Sequence, residues 1–187
     1  MPRTKKYNEN EVIEKAMHLF WKNGYTSTSM QMLEKQMGIN KFSIYASFQN
    51  KNGVFVKSLA CYKQKLNKLF IKLNKESQGI AGIKQFFYDF IKFTKEDNFG
   101  KGCLVVNTAN EVNSINESKI ADLVIKFTNE VKEQFKIQLK RENNIELTNI
   151  EQKADYLIIS MYGLSSATKV FSAKQLDNYI EGVFKKL

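Results

Sequence analysis

Proline is almost missing from this sequence. Its one proline is Pro2, so residues 3–187 contain none. Proline removes a backbone donor and clashes with the preceding helical turn, and a chain without it meets no such break. Glycine is scarce too, with 9 in 187 residues. Many-turned β folds lean on both residues, so the double shortage argues against a sandwich or barrel and predicts long helices. Nothing approaches the roughly 18 uninterrupted apolar residues of a membrane-crossing helix. The opening, MPRTKKYNENE, is polar and basic, unlike a secretory leader.

Chemistry-bearing residues are also few. His18 is the only histidine, with no cysteine or carboxylate at metal-ligand spacing. No nucleophile elbow, phosphate loop or dinucleotide fingerprint occurs, so we expect no enzyme, no catalytic residue, no cofactor and no metal. The two cysteines, Cys61 and Cys103, could form one disulfide. With no leader in sight, reduced thiols in the cytoplasm are the expectation.

What is present is positive charge, unevenly spread. Residues 1–70 hold 12 Lys/Arg against 4 Asp/Glu, whereas residues 71–187 hold 17 against 15. A basic first third on a nearly balanced remainder suits a polyanion-binding module joined to something else, although a solvated basic face would look the same. With 43% hydrophobic residues the chain can bury a real core.

Helical punctuation is clear at the start. Asn8 can cap a first helix, with Glu11 three residues on; Val12, Ile13, Ala16, Met17, Leu19 and Phe20 recur at helical spacing, and Gly24 ends the run. Thr28 can cap a short helix carrying Leu33 and Met37. Gly38 permits a tight turn, and Asn40 can cap a second short helix with Ile44, Tyr45 and Phe48 inward. Two short helices about a glycine turn make a helix-turn-helix pattern, residues 29–48. Asn50 opens a long helix to about residue 75. After a weak break at Ser77–Gly82, further helices are expected near 83–95, 103–113, 117–142, 149–171 and 173–186, with a loop around Asn98–Gly102. The fold class is therefore all-α, with about nine helices.

In a helix-turn-helix the second short helix enters the major groove by its N-terminal residues. Here Lys41, Phe42, Ser43, Ala46 and Ser47 face outward. Lys41 can donate to guanine or phosphate, Ser43 to several base edges, and Phe42 and Ala46 can touch a thymine methyl. The helix starts at Thr28–Ser29, Asn40 and Asn50–Lys51 can hold phosphates through backbone N–H groups and side-chain donors.

Ala16 to Phe20, Gly24, Tyr25, Thr28, Ser29, Leu33, Gly38, Ile39, Tyr45, Phe48 and Lys51 together resemble the TetR family of bacterial regulators, over roughly residues 6–66. The resemblance implies an all-helical homodimer. Residues 6–66 would bind double-stranded operator DNA as a repressor, and residues 67–187 would dimerise and bind a small-molecule inducer that releases the operator. It also implies that Thr28, Tyr45 and Lys51 contact phosphates while Lys41, Phe42 and Ser43 face bases. Glu34, Met32 and Phe42 depart from the usual small or acidic residues at those places, which weakens any transfer of base preference. The alternative reading is a helical interaction protein whose basic part meets an acidic partner or membrane surface, though membrane binding would want one longer amphipathic helix.

The second half is less specific. Leu157, Met161 and Leu164 form one apolar stripe and Tyr179, Val183 and Phe184 another, as a dimer interface needs; packing within one chain would give the same stripes. Phe86, Phe90, Phe93, Phe127 and Tyr156 can line an apolar ligand cavity, or simply fill a core. Gly102-Cys103-Leu104 is similar to an element of one TetR branch. Cys103, at a helix start beside Lys101, is expected to be either an activated thiol open to oxidants or electrophiles, or a small buried packing residue.

Overall fold

The computed structural model describes residues 7–76, 79–95, 101–111, 118–142 and 147–187. Among these there are helices only, nine of them, as the missing prolines imply. Of the expected boundaries, the loop at Asn98–Gly102 lies largely outside the described residues. The break expected at Ser77–Gly82 is shorter than thought, because a helix is already running at Gly79.

Helix α1, Glu9–Asn23, starts where Asn8 accepts from the Asn10 N–H and stops at Gly24, whose φ of 82° suits glycine. Its apolar side, Val12, Ile13, Ala16, Met17, Phe20 and Trp21, is buried. Helices α2, Met30–Met37, and α3, Lys41–Phe48, follow. Gly38 between them has φ 70°, the left-handed cap that lets the chain reverse within a few residues. Ser29 caps α2 by accepting from Met32, so the cap falls one residue after the expected Thr28.

Helix α4, Lys51–Glu76, has 26 residues and spans about 39 Å at 1.5 Å per residue. Its first half packs under α1, where Phe20 meets Phe55 edge-on at 4.8 Å and Trp21 meets Tyr62 at 5.0 Å. Its second half packs on α5, Gly79–Thr94, where Phe70 stacks with Phe86 at 5.0 Å. One helix thus belongs to both the basic head and the body.

The body is completed by α6, Leu104–Ala109, α7, Ser118–Leu139, α8, Leu147–Ala167, and α9, Ala173–Lys185. Burial of apolar side chains holds them together. Phe87 contacts Phe184 of α9 edge-on at 5.1 Å, and Phe135 of α7 sits against Phe86 at 5.6 Å. A two-lysine bridge, Lys132 and Lys136 sharing Glu151, ties α7 to α8 along their outer edge.

Candidate nucleic-acid interface

The head presents α3 as a short rod fixed from behind. Ile44 and Phe48 are fully or nearly fully buried, while Phe42 is 81% exposed and Tyr45 43%. Lys41 and Ala46 are exposed as well, so four of the expected base-facing or phosphate-facing side chains share one outward face. Lys41 Nζ lies 5.8 Å from the centre of the Tyr45 ring, which keeps the cation over an aromatic face at the surface.

Four hydrogen bonds from three side chains hold α3 in place. Asn40 Oδ1 accepts from the Ser43 N–H at 2.8 Å. Glu34 Oε1, from α2, accepts from the Lys41 N–H at 3.0 Å, so two first-turn donors are satisfied at once. Glu34 stands where the family usually has a small residue; here it acts as a second cap. The third contact comes from ahead of α1: the Tyr7 hydroxyl lies 2.7 Å from Ser47 Oγ and donates to the Ser43 carbonyl at 3.3 Å. Tyr7 thereby pins α3 from its rear. Ser43 and Ser47 are half-buried, and the Ser47 hydroxyl is engaged inside the head.

Two of the expected phosphate contacts fare differently. Thr28 is fully buried and donates its hydroxyl to the Gly24 carbonyl at 2.7 Å, which withdraws its side chain from any DNA-facing set. Ser29 is exposed at the start of α2. Lys51 is half-buried, 4.3 Å over the Tyr25 ring, with Nζ 3.4 Å from the Thr26 carbonyl. Burial pushes its pKa down from the ordinary lysine value, while the charge of Glu111 works in the other direction.

The body supplies partners that pattern reading missed. Trp21 Nε1 donates to the Gly102 carbonyl at 2.8 Å, and both Glu111 oxygens accept backbone N–H groups of the α1–α2 loop, from Tyr25 at 3.2 Å and Thr26 at 2.7 Å. A glutamate some 85 residues away leaves no local sequence signal.

The expected ligand aromatics are mostly core. Phe86, Phe90 and Phe93 are buried, with Phe93 against Trp21 at 5.4 Å and Tyr62 at 5.7 Å. Tyr156 is 38% exposed on the outer side of α8. A cavity of about 230 Å³ lies instead between α4, α6 and α7, walled by Val56, Leu59, Val105, Leu123, Val124 and Phe127 with Lys63, Lys126 and Glu130. Phe127 is the one expected pocket residue that lines it. Cys103 is fully buried, where the Tyr62 hydroxyl donates to its sulfur at 3.2 Å. Burial raises its pKa above the ordinary thiol value, against the expected activation, and Lys101 lies over the Trp21 ring at 5.3 Å.

The expected dimer residues are also largely internal. Leu157, Met161, Leu164 and Val183 are buried within the chain, and Phe184 packs on Phe87. Tyr179 is 40% exposed, with its hydroxyl donating to the Ser160 carbonyl at 3.2 Å. Among the described residues no group of three or more His, Cys, Asp or Glu side chains can hold a metal ion, and no helix is long and apolar enough to cross a membrane.

A capped, outward-facing second helix on a basic three-helix head, joined by a long helix to an all-helical body, defines a helix-turn-helix regulator. Residues 12–57 match the family model described as bacterial regulatory proteins, tetR family. The negative transcriptional regulator of the icaADBC biofilm operon in Staphylococcus aureus (strain Newman), IcaR, is 26% identical over 139 residues, 72% of this chain and 75% of its own. The HTH-type transcriptional regulator YezE of Bacillus subtilis (strain 168) is 25% identical over 176 residues, 91% and 90% of the two chains. In fold, the chain resembles a cysteine-substituted TetR-family regulator, CifR, complexed with 26-base-pair operator DNA, with TM-score 0.88 at 24% identity over 98% of each chain. It also resembles Escherichia coli NemR in its reduced form, with TM-score 0.79 at 22% identity over 92% and 93%. Residues 12–57 therefore carry a tetR-family DNA-binding domain, and along its length the chain is similar to TetR-family transcriptional regulators. The reading as a basic protein for an acidic partner or membrane is not favoured. The likeness reaches the family; the branch suggested by Gly102-Cys103-Leu104 stays a resemblance.

Proposed function

We propose that this protein represses transcription as a homodimer that holds a two-fold operator through α3 and releases it when a small molecule enters the body. The observation that carries the reading is the doubly capped α3, buried at Ile44 and Phe48 and exposed at Lys41, Phe42, Tyr45 and Ala46. Lys41 and Phe42 meet bases; Tyr45, Lys51, Ser29 and the backbone around Asn40 meet phosphates. Ser43 and Ser47 stand behind them. The head is residues 6–66 and the body residues 67–187. Repression is supported by the negative regulator IcaR among the relatives.

The dimer face is the apolar surface that a single chain leaves uncovered on α8 and α9. Tyr156, Ile159 and Tyr179 are 38%, 70% and 40% exposed. Gly163 and Gly182 lie among them, and nothing stands within 4 Å of where a side chain at Gly182 would project. Small residues let helices approach closely, and a two-fold pair of such faces would cover the exposed Ile159. The effector site is the cavity between α4, α6 and α7. At about 230 Å³ it is smaller than usual drug-sized pockets, so it suits a compact, mainly apolar molecule.

The test is an electrophoretic shift of DNA flanking the protein's own gene. We expect a discrete complex that weakens steeply with salt. Lys41→Ala should cost roughly tenfold and relax sequence preference, in line with about 1–3 kcal/mol for a good base contact. Unchanged affinity and preference in Lys41→Ala would overturn the assignment of α3.

A further inference from the structure

We propose that Glu111 is a positioning residue for DNA binding: from the end of α6 it holds the α1–α2 loop, and with it Lys51 and the start of α2, where they meet the phosphate backbone. The proposal rests on the assignment of Lys51 to a phosphate made above.

Residues 24–29 join α1 to α2 and carry the loop's own burden of backbone donors. Every such donor needs a partner. Thr28 N–H donates back to the Tyr25 carbonyl at 3.2 Å, whereas the Tyr25 and Thr26 N–H groups find their acceptor outside the loop. Glu111 takes both, one on each oxygen, at 3.2 and 2.7 Å. Hydrogen bonds to an ionised acceptor are about twice as strong as neutral ones, so a two-point carboxylate fork fixes this loop firmly. Gly24 shows how close the approach is. A Cβ there would stand 2.3 Å from a Glu111 oxygen, and its φ of 82° already favours glycine.

The same loop seats Lys51. Its ammonium lies over the Tyr25 ring and against the Thr26 carbonyl, the two residues whose N–H groups Glu111 grips. The Glu111 charge also acts directly on Lys51. Displacing Glu111 therefore frees the loop, and the lysine that rests on it moves too. The opposite end of α6 is fixed to the head as well, through the Gly102 carbonyl and Trp21. Helix α6 spans the C-terminal end of α1 and its following loop like a strap held at both ends. Val105 of this strap lines the cavity between α4, α6 and α7, so occupancy of the body and placement of Lys51 share one short helix.

The experiment is a double-mutant cycle on operator affinity as a function of salt, with Lys51→Ala, Glu111→Ala and both together in the full-length chain. Losing one phosphate contact per protomer lowers the magnitude of the log K against log salt slope by about 0.9 per protomer. We expect Lys51→Ala to show that change with roughly tenfold weaker binding, Glu111→Ala to reproduce most of both, and the double variant to be no worse than Lys51→Ala. Glu111→Gln, which keeps one acceptor for Thr26, should recover part of the loss; it also carries the cycle if Glu111→Ala fails to fold by circular dichroism. Additive losses, or an unchanged salt slope in the Glu111 variants beside a changed one in Lys51→Ala, overturn the positioning role. No effect of Lys51→Ala overturns the phosphate assignment itself, and the positioning role with it.

Discussion

The Trp21 indole donates its N–H to the Gly102 carbonyl at 2.8 Å, joining the last turn of the head's first helix to the body. Trp21 is 5% exposed and is the only tryptophan in the chain. Its emission therefore reports this one junction. We expect a blue-shifted native spectrum that moves red in a single transition on urea unfolding, coincident with loss of helical circular dichroism. Trp21→Phe strands the buried Gly102 carbonyl and should cost about 1–3 kcal/mol. A cost below about 0.5 kcal/mol would mean the junction contributes nothing beyond packing.

Phe42 is large, apolar and 81% exposed, so it adds little to the folded protein by itself. Phe42→Ala should leave stability within about 0.5 kcal/mol. Its effect should appear on DNA. Replacing thymine by uracil in the half-sites removes a methyl group whose burial is worth about 0.8 kcal/mol, roughly fourfold in affinity. We expect that loss in the wild-type protein and its absence in Phe42→Ala. Equal sensitivity of both proteins would remove Phe42 from base contact.

Much of this was legible in the sequence. The capping residues Asn8 and Asn40, the turn at Gly38 and the buried rows of α1 and α4 follow from local propensity and period, which the missing prolines leave undisturbed. The first cap of α2 was off by one because Thr28 and Ser29 both have suitable hydroxyls; tertiary packing buries the threonine and leaves the serine free to cap. Glu34 looked like a misfit until its carboxylate met the Lys41 N–H. Helical period told apolar from polar faces but not which neighbour covers an apolar face. Leu157, Met161 and Leu164 therefore read as an interface although they face their own chain, whereas Ile159 between them faces out. Tyr7, Trp21 and Glu111 act through contacts between residues far apart in sequence, which no local pattern encodes.

Both thiols should be slow at neutral pH. Burial raises the pKa of Cys103 and also that of half-buried Cys61, with Glu14 adding to the latter. The thiolate is the reactive form, so a disulfide reagent should modify Cys61 slowly and Cys103 only when the protein unfolds. One accessible thiol in the native state and two in denaturant is the expected titration. Rapid native reaction that Cys103→Ser abolishes would restore Cys103 as a sensor.

Acid should loosen the seam between α7 and α8. Hydrogen bonds from Lys132 and then Lys136 bring the Glu151 carboxyl down to about 2 from an ordinary 4.5. A depressed folded value means that the bridge stabilises the fold fully above the ordinary value and is lost as pH falls towards about 2. Between those limits the urea midpoint of the wild-type protein should decline more steeply than that of Glu151→Gln. Parallel declines would show that this exposed bridge contributes nothing, as many surface pairs do.

The most direct test of a two-fold reader is a hydroxyl-radical footprint on the shifted DNA, run beside Ile159→Asp. We expect two protected half-sites on one face of the duplex, with centres about 34–36 Å or a whole multiple of that apart, and loss of both together when a charge enters the uncovered face of α8. Protection of a single half-site, or full protection by a monomeric Ile159→Asp, would contradict a dimer that reads DNA through paired α3 helices.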